Sequence, residues 1–164
     1  MSNKTISLVL GSRGARGLTR VGFIHWLEEH GHELRSISGC SIGSFIGGAN
    51  AVGKLDAIVD CMESFTKRKI YSTLDLSFTW HSLVTGDKMM TAIQNKIGTG
   101  LIEDLPIKLA AVAADSASEK EHLFQSGLID QSIRASVSLP LFFTPYPVDR
   151  LQFIGDDILN PTPI

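Results

Sequence analysis

Short apolar runs alternate with apolar positions spaced by three or four along the first third of the chain. This pattern predicts strands and helices in succession. Ile6-Ser7-Leu8-Val9-Leu10 has the length and hydropathy of a buried first strand. The Gly-rich stretch Gly11-Ser12-Arg13-Gly14-Ala15-Arg16-Gly17 follows it. A helix is then predicted from about Leu18 to His30, with Val21, Phe23, Ile24 and Leu27 on its apolar side and Gly31 as its stop. Leu34 to Ser38 reads as a second strand, and Ile42 to Val52 as a tightly packed helix. Two strand–loop–helix units in a row imply a parallel sheet with right-handed crossovers. Their loops then open on the same carboxyl edge of the sheet, where open α/β folds bind ligands.

The pattern is less regular further on. Leu55, Ile58, Val59, Met62 and Phe65 make an amphipathic helix of Leu55 to Arg68, and ordinary packing explains that stripe. Ile70 to Ser82 mixes apolar and hydroxyl residues with Phe78 and Trp80, and it is read as an apolar loop near the site with no regular element assigned. Gly86-Asp87-Lys88 marks a helix start running to Ile97. Pro106 to Ala114 reads as a buried strand, Asp115 to Lys120 as a turn, and Glu121 to Gln125 as an antiparallel return. Ile129 to Ser138 is a short helix ended by Pro140, and Pro145 with Pro147 argues against regular structure beyond it. Leu151 to Ile154 is a last strand, followed by Gly155-Asp156-Asp157.

With 164 residues, 43% hydrophobic and 20% charged, the chain is expected to be one globular domain. A net charge of -2 leaves no electrostatic footprint for nucleic acid. No run reaches the roughly 18 to 20 apolar residues of a membrane span, and the start Met1-Ser2-Asn3-Lys4-Thr5 does not read as a signal peptide. Cys40 and Cys61 show no metal-ligand spacing, so no metal or cofactor is expected, and a reduced, cytoplasmic setting is the plain reading.

The chemistry centres on Gly39-Cys40-Ser41-Ile42-Gly43. Strand, Gly-x-Ser-x-Gly and helix in sequence form the context of a nucleophile elbow, a sharp turn that holds its Ser above the sheet edge. The glycines leave room where a β-carbon would collide, and the helix N-terminus favours a developing negative charge. Cys40 occupies the x position, so its side chain should point away from that of Ser41. The Gly-rich stretch misses both dinucleotide and P-loop spacing. An oxyanion hole needs only a few N–H donors, which such a loop supplies.

A serine nucleophile also needs a base. His25, His30 and His32 lie on or just after a helix running away from the active edge, and His122 sits in a hairpin. Only His81 stays open as a triad histidine. A poorly solvated carboxylate serves equally. Asp156 and Asp157 follow a strand end; Asp115 does too, although turn chemistry accounts for it.

With these residues assembled, the chain resembles the bacterial patatin-like phospholipase family, including its neuropathy-target-esterase-like members. Five segments fall in the family's order: Gly11 to Gly17, Gly39 to Gly43, Gly86-Asp87 with Ala113-Ala114-Asp115, Ile133-Arg134-Ala135-Ser136 with Leu139-Pro140 and Phe142, and Gly155 to Pro163. The resemblance implies a three-layer α/β/α fold with a mostly parallel central sheet, and a Ser-Asp dyad without histidine. Lipid acyl esters are the implied substrates. It makes Ser41 the nucleophile and gives the oxyanion hole to Gly11, Ser12, Arg13, Gly14, Ala15 and Arg16. Gly39 and Gly43 shape the elbow.

Three departures accompany the resemblance. Aligned on Asn160-Pro161, the family's catalytic Asp falls on Gly155, so either Asp156 serves through a bulge or the dyad is broken. Strand alternation would turn Asp156 to the opposite face. Arg13 stands where the family has Gly, and its charge suits an anionic headgroup. The family usually continues past Asn-Pro-x-Pro, which implies that residues 1–164 are a C-terminally truncated acyl hydrolase domain. The expected activity is cytoplasmic hydrolysis of lipid or acyl esters, with peripheral membrane contact through Phe78, Trp80, Phe142 and Phe143. The rival readings are an acyl-binding domain that has lost turnover and a Ser-His-Asp esterase using His81.

Overall fold

The alanine-rich sequence Lys-Leu-Ala-Ala-Val-Ala-Ala-Asp forms the strand around which the main sheet is assembled. In the computed structural model, which describes residues 4–12, 19–63, 76–79, 82–84, 91, 94–156 and 162–163, this segment spans Lys108–Asp115 (β5). Ala111 to Ala114 are buried, and their small side chains let other elements approach closely on both faces. Strands β1 (Thr5–Leu10) and β2 (Glu33–Cys40) lie parallel to it in the order β1-β2-β5. Leu10 sits opposite Gly39, and Cys40 opposite Val112. The helices α1 (Thr19–Glu29), α2 (Ile42–Ala51) and α3 (Leu55–Glu63) follow β1 and β2.

Beyond β5 the sheet becomes antiparallel. Strand β6 (Lys120–Phe124) returns along Ala111–Asp115, while β9 (Leu151–Gly155) pairs with Ala113–Asp115. A strand has only two hydrogen-bonding edges. Because β6 takes one edge of residues 111–115, β9 shares the other with β2, which occupies residues 108–112. The carboxyl ends of β2 and β9 therefore meet head-on, with Cys40 opposite Val112 and Gly155 opposite Ala113. Strand β8 (Tyr146–Val148) completes this edge of the mixed sheet. A second, small sheet has the order β3 (Leu76–Thr79), β4 (Ser82–Val84), β7 (Leu141–Phe143).

The layers follow from side-chain alternation. Ile37 and Leu109 are buried on the α2 face, where Gly47 brings α2 against Ile37. Helix α4 (Ile129–Ser136) packs beside α2, with Ile133 against Gly48. Ser36, Ser38, Lys108 and Ala110 point to the other face, which carries the 3₁₀ turn Ile102–Asp104 and a groove of about 620 Å³. The fold is thus the expected α/β/α arrangement, parallel through β1, β2 and β5.

Several expectations change. Pro147 does not exclude a strand: it lies in β8, opposite Gln152, at the end of the sheet. An edge strand tolerates a residue lacking N–H because one side has no ladder bond to lose. The unassigned stretch to Ser82 contains β3 and leads directly into β4. Phe23 is 50% exposed, whereas Val21, Ile24 and Leu27 are buried as read. Residues 91 and 94–97 are helical; the rest of the predicted Lys88–Ile97 helix lies outside the described residues, as does the end of the predicted Leu55–Arg68 helix.

Phe153 anchors β9 by packing against Phe124 and His122, with ring centroids 4.9 and 5.0 Å away. Phe153→Ala is expected to lower stability by about 3–5 kcal/mol. The measurement is urea unfolding, where the midpoint should fall with the slope unchanged.

Candidate active site

The turn from β2 into α2 holds Ser41 at φ 54°, ψ -122°. A left-handed φ is rare for a side chain with a β-carbon and signals strain held by its surroundings. Those surroundings begin with the two glycines. A β-carbon on Gly39 would lie 2.5 Å from the Ser44 nitrogen, and one on Gly43 would run into the Leu10 carbonyl. Ser41 O accepts hydrogen bonds from the amides of Ser44 and Phe45 at 3.0 and 3.2 Å, and from Ser44 Oγ at 2.7 Å. Cys40 is wholly buried while Ser41 is partly exposed, so the neighbouring side chains diverge as expected.

The remaining anchor comes from α4. The Ser41 amide donates to Ser136 Oγ at 2.9 Å, and Ser136 Oγ donates to the Val112 carbonyl at 2.5 Å. The Ser136 hydroxyl thus stands between β2 and β5 at their last paired position. It lets β2 peel away into the elbow without stranding either backbone group.

The Gly-rich loop starts beside this elbow. Leu10 and Gly11 press on Gly43, and Arg20 Nη2 of α1 donates to the Ser12 carbonyl at 3.1 Å. Arg13, Gly14, Ala15 and Arg16, four of the six expected oxyanion residues, lie outside the described residues.

Asp156 follows β9 directly and is completely buried. The Gly155 amide donates to the Ser138 carbonyl at 2.8 Å. A β-carbon on Gly155 would lie 2.8 Å from the Ser136 carbonyl oxygen. Position 155 therefore faces the residue whose hydroxyl holds Ser41. Asp156 lies past the end of the strand, where alternation no longer dictates its side; Asp157 lies outside the described residues.

The described histidines have other contacts. His25 Nε2 lies 3.1 Å from Asp56 Oδ1. His30 stacks on Trp26 at 4.1 Å, and His32 lies tilted to the same ring at 6.2 Å. His122 packs on Phe124 and Phe153. His81, with Trp80, is outside the described residues. Phe143 is partly exposed, and the Arg134 guanidinium lies over its ring, 5.5 Å from the centroid. The side chains of Phe78 and Phe142 lie outside what the structure describes.

Asp115 is a turn residue, as read. Its carboxylate accepts the Ser118 hydroxyl at 2.5 Å and the amides of Ala117 and Ser118 at 3.3 and 3.2 Å. These bonds, led by that of the Ser118 hydroxyl, hold its pKa below the ordinary aspartate value.

Sequence reading gave no role to Ser136, Ser138, Arg134 or Arg20. The available signal was a pair of hydroxyls, Ser132 and Ser136, four apart on a helix whose Ile129 and Ile133 face the core. Hydroxyls at such positions need buried partners.

A profile of the patatin-like phospholipase family matches residues 8–155. Uncharacterized NTE family proteins of Mycobacterium bovis and Mycobacterium tuberculosis are 37% identical over 163 residues, covering 99% of this chain and 45% of theirs. Lysophospholipase NTE1 of Candida albicans is 32% identical over 168 residues, 100% of this chain and 12% of its own length. VipD from Legionella pneumophila superposes with a TM-score of 0.71 at 17% identity, covering 100% of this chain and 47% of that one, a likeness of fold. The chain spans less than half the length of each of these relatives.

Two outcomes follow from the geometry. Gly43→Ala drives a β-carbon into the Leu10 carbonyl and should lower the melting temperature sharply. Gly22→Ala, in α1 with nothing within 4 Å of its β-carbon, should instead stabilise by about 0.5–1 kcal/mol. Thermal unfolding of both compares a buried contact with an open one. Because folding lowers the Asp115 pKa, its contribution is complete at neutral pH and is lost as pH falls through the folded-state value. The stability gap between wild type and Asp115→Asn, from urea melts across acid pH, should therefore narrow below the ordinary aspartate range.

Proposed function

The chain belongs to the patatin-like phospholipase family, and from that premise we propose that it is a serine acyl hydrolase of lipid carboxylic esters. Ser41 Oγ attacks the acyl carbonyl while a buried carboxylate, Asp156, takes its proton. Backbone N–H groups of the loop around Ser12 to Ala15, with Arg16 in support, stabilise the oxyanion. The alcohol leaves with the proton, and water releases the acyl group from Ser41 through the same base. The observation that carries this reading is Ser41 itself, held in a left-handed turn between a strand and a helix N-terminus. The burial of Asp156 at the end where β9 runs up against β2 supports the choice of base. The printed activity of a relative, lysophospholipase, supports the substrate class. Action in the cytoplasm on a lipid surface completes the proposal. Among the described residues no helix is long and apolar enough to cross a membrane.

One observation favours a second reading. Position 155 faces the Ser136 peptide beside Ser41, and it carries no carboxylate. If the carboxylate base is required there, the domain binds acyl chains and turns over little. Labelling with a fluorophosphonate, with turnover of a lysophospholipid measured alongside, separates the two. Wild type should label at Ser41, Ser41→Ala should not, and Asp156→Asn should lose about 100-fold or more in rate. Folded wild type that fails to label, with labelling gained in Gly155→Asp, overturns Asp156 as the base and establishes the second reading.

A further inference from the structure

The last turn of α4 touches both halves of the site. Ser136 Oγ accepts the Ser41 amide and donates to Val112 O, while its own carbonyl lies against Gly155. Two residues on, the Ser138 carbonyl accepts the Gly155 amide at 2.8 Å. Ser138 Oγ donates to the Arg134 carbonyl at 2.7 Å and accepts from Arg134 Nη1 at 2.5 Å. The guanidinium of Arg134 lies over Phe143 and Tyr146, 5.5 and 5.3 Å from their centroids. Arg134, Ser136 and Ser138 are all buried. A single turn of helix thus grips the end of β2 through a side chain and the end of β9 through the backbone, and Arg134 ties that turn to β7 and β8.

We infer that Ser136 is a positioning residue for the nucleophile. The Ser41 amide lies outside the α2 hydrogen-bond pattern, because it precedes the helix. The Ser136 hydroxyl fixes the plane of the Cys40–Ser41 peptide, and that plane sets where a left-handed Ser41 directs Oγ. It also commits the Ser41 N–H, so the oxyanion donors come from other amides. Through the Ser138 carbonyl, which accepts the Gly155 amide, with the Ser136 carbonyl packed against Gly155, the same turn holds β9 so that the elbow and Asp156 keep a fixed relation.

The kinetic part of the test rests on the hydrolase reading, and the exchange part does not. Ser132 provides the control: it is equally buried in α4, but among the described residues its hydroxyl bonds only within the helix, to the Ile129 carbonyl at 2.8 Å. With a short acyl ester, well below the melting temperature of each protein, Ser136→Ala should lose about 10- to 100-fold in kcat with KM nearly unchanged. Ser132→Ala should keep both constants within about twofold. By NMR hydrogen exchange, the Ser41 amide of wild type should be protected like a strand amide, and Ser136→Ala should exchange it at least about tenfold faster. A Ser136→Ala protein with wild-type kcat overturns the inference. So does free exchange of the Ser41 amide in wild type, a result that needs no variant to fold. Wild type without turnover would refute the hydrolase reading, and the exchange data would still decide whether Ser136 holds the elbow.

Discussion

One edge of β5 is shared end to end by two strands running in opposite directions, and the site depends on that sharing. Residues 108–112 take β2 and residues 113–115 take β9. Neither strand can continue without displacing the other. The chain must therefore leave the sheet at Ser41 on one side and at Asp156 on the other. Two polar residues at facing strand ends follow from the topology, without any attraction between them. The alanines of β5 make the crowding tolerable: with Ala113 opposite both His122 and Gly155, the rings of Phe124, His122 and Phe153 have room to meet.

The elbow is strained, and its contacts suffice to hold it. A non-glycine residue in the left-handed region costs on the order of 1–3 kcal/mol. Ser41 O accepts three hydrogen bonds and Ser41 N–H donates one, and each such bond contributes a net of roughly 0.5–1.5 kcal/mol. The two sums are comparable, so the conformation is held without any bound ligand. Such preorganisation is useful to a nucleophile because no reorganisation remains to be done when substrate arrives. Gly39 and Gly43 contribute by absence: a side chain on Gly39 would push against the Gly43–Ser44 backbone that opens α2, and one on Gly43 would push α2 off Leu10 and the start of the Gly-rich loop.

The parts of this arrangement legible in the sequence were those written in local pattern. The first two strands, their helices, the Asp115 turn and the Ser41 elbow all follow from periodicity and glycine placement within a few residues. Long-range pairing was not legible. Nothing in Leu151-Gln152-Phe153-Ile154 states that it runs antiparallel along the edge β2 has vacated. The pairing of Tyr146-Pro147-Val148 depends on its edge position, which only the sheet order reveals. Ser136 escaped notice for a related reason. A serine on a short helix is unremarkable until the helix is seen to end between the Ser41 amide and the Val112 carbonyl. The resemblance had marked the Ile133–Ser136 segment, but a motif supplies no contact.

The Gly-Asp-Asp at the end of β9 takes on physical meaning in this setting. The Ser138 carbonyl holds the Gly155 amide, and the Ser136 carbonyl closes over the place where a β-carbon would sit. An aspartate at 155 would need that carbonyl to yield, and the same residue's hydroxyl fixes Ser41. Glycine here lets the last turn of α4 settle onto β9, and on the proposed assignment the carboxylate passes to the next residue. There the ladder has ended, so alternation no longer turns the side chain away, and the wholly buried Asp156 is shielded from bulk water. A shift of one residue along the chain is therefore more than a slip of alignment. On the proposed assignment it exchanges a carboxylate held at a ladder position for one held at a strand end, where its direction is set by packing instead of pairing.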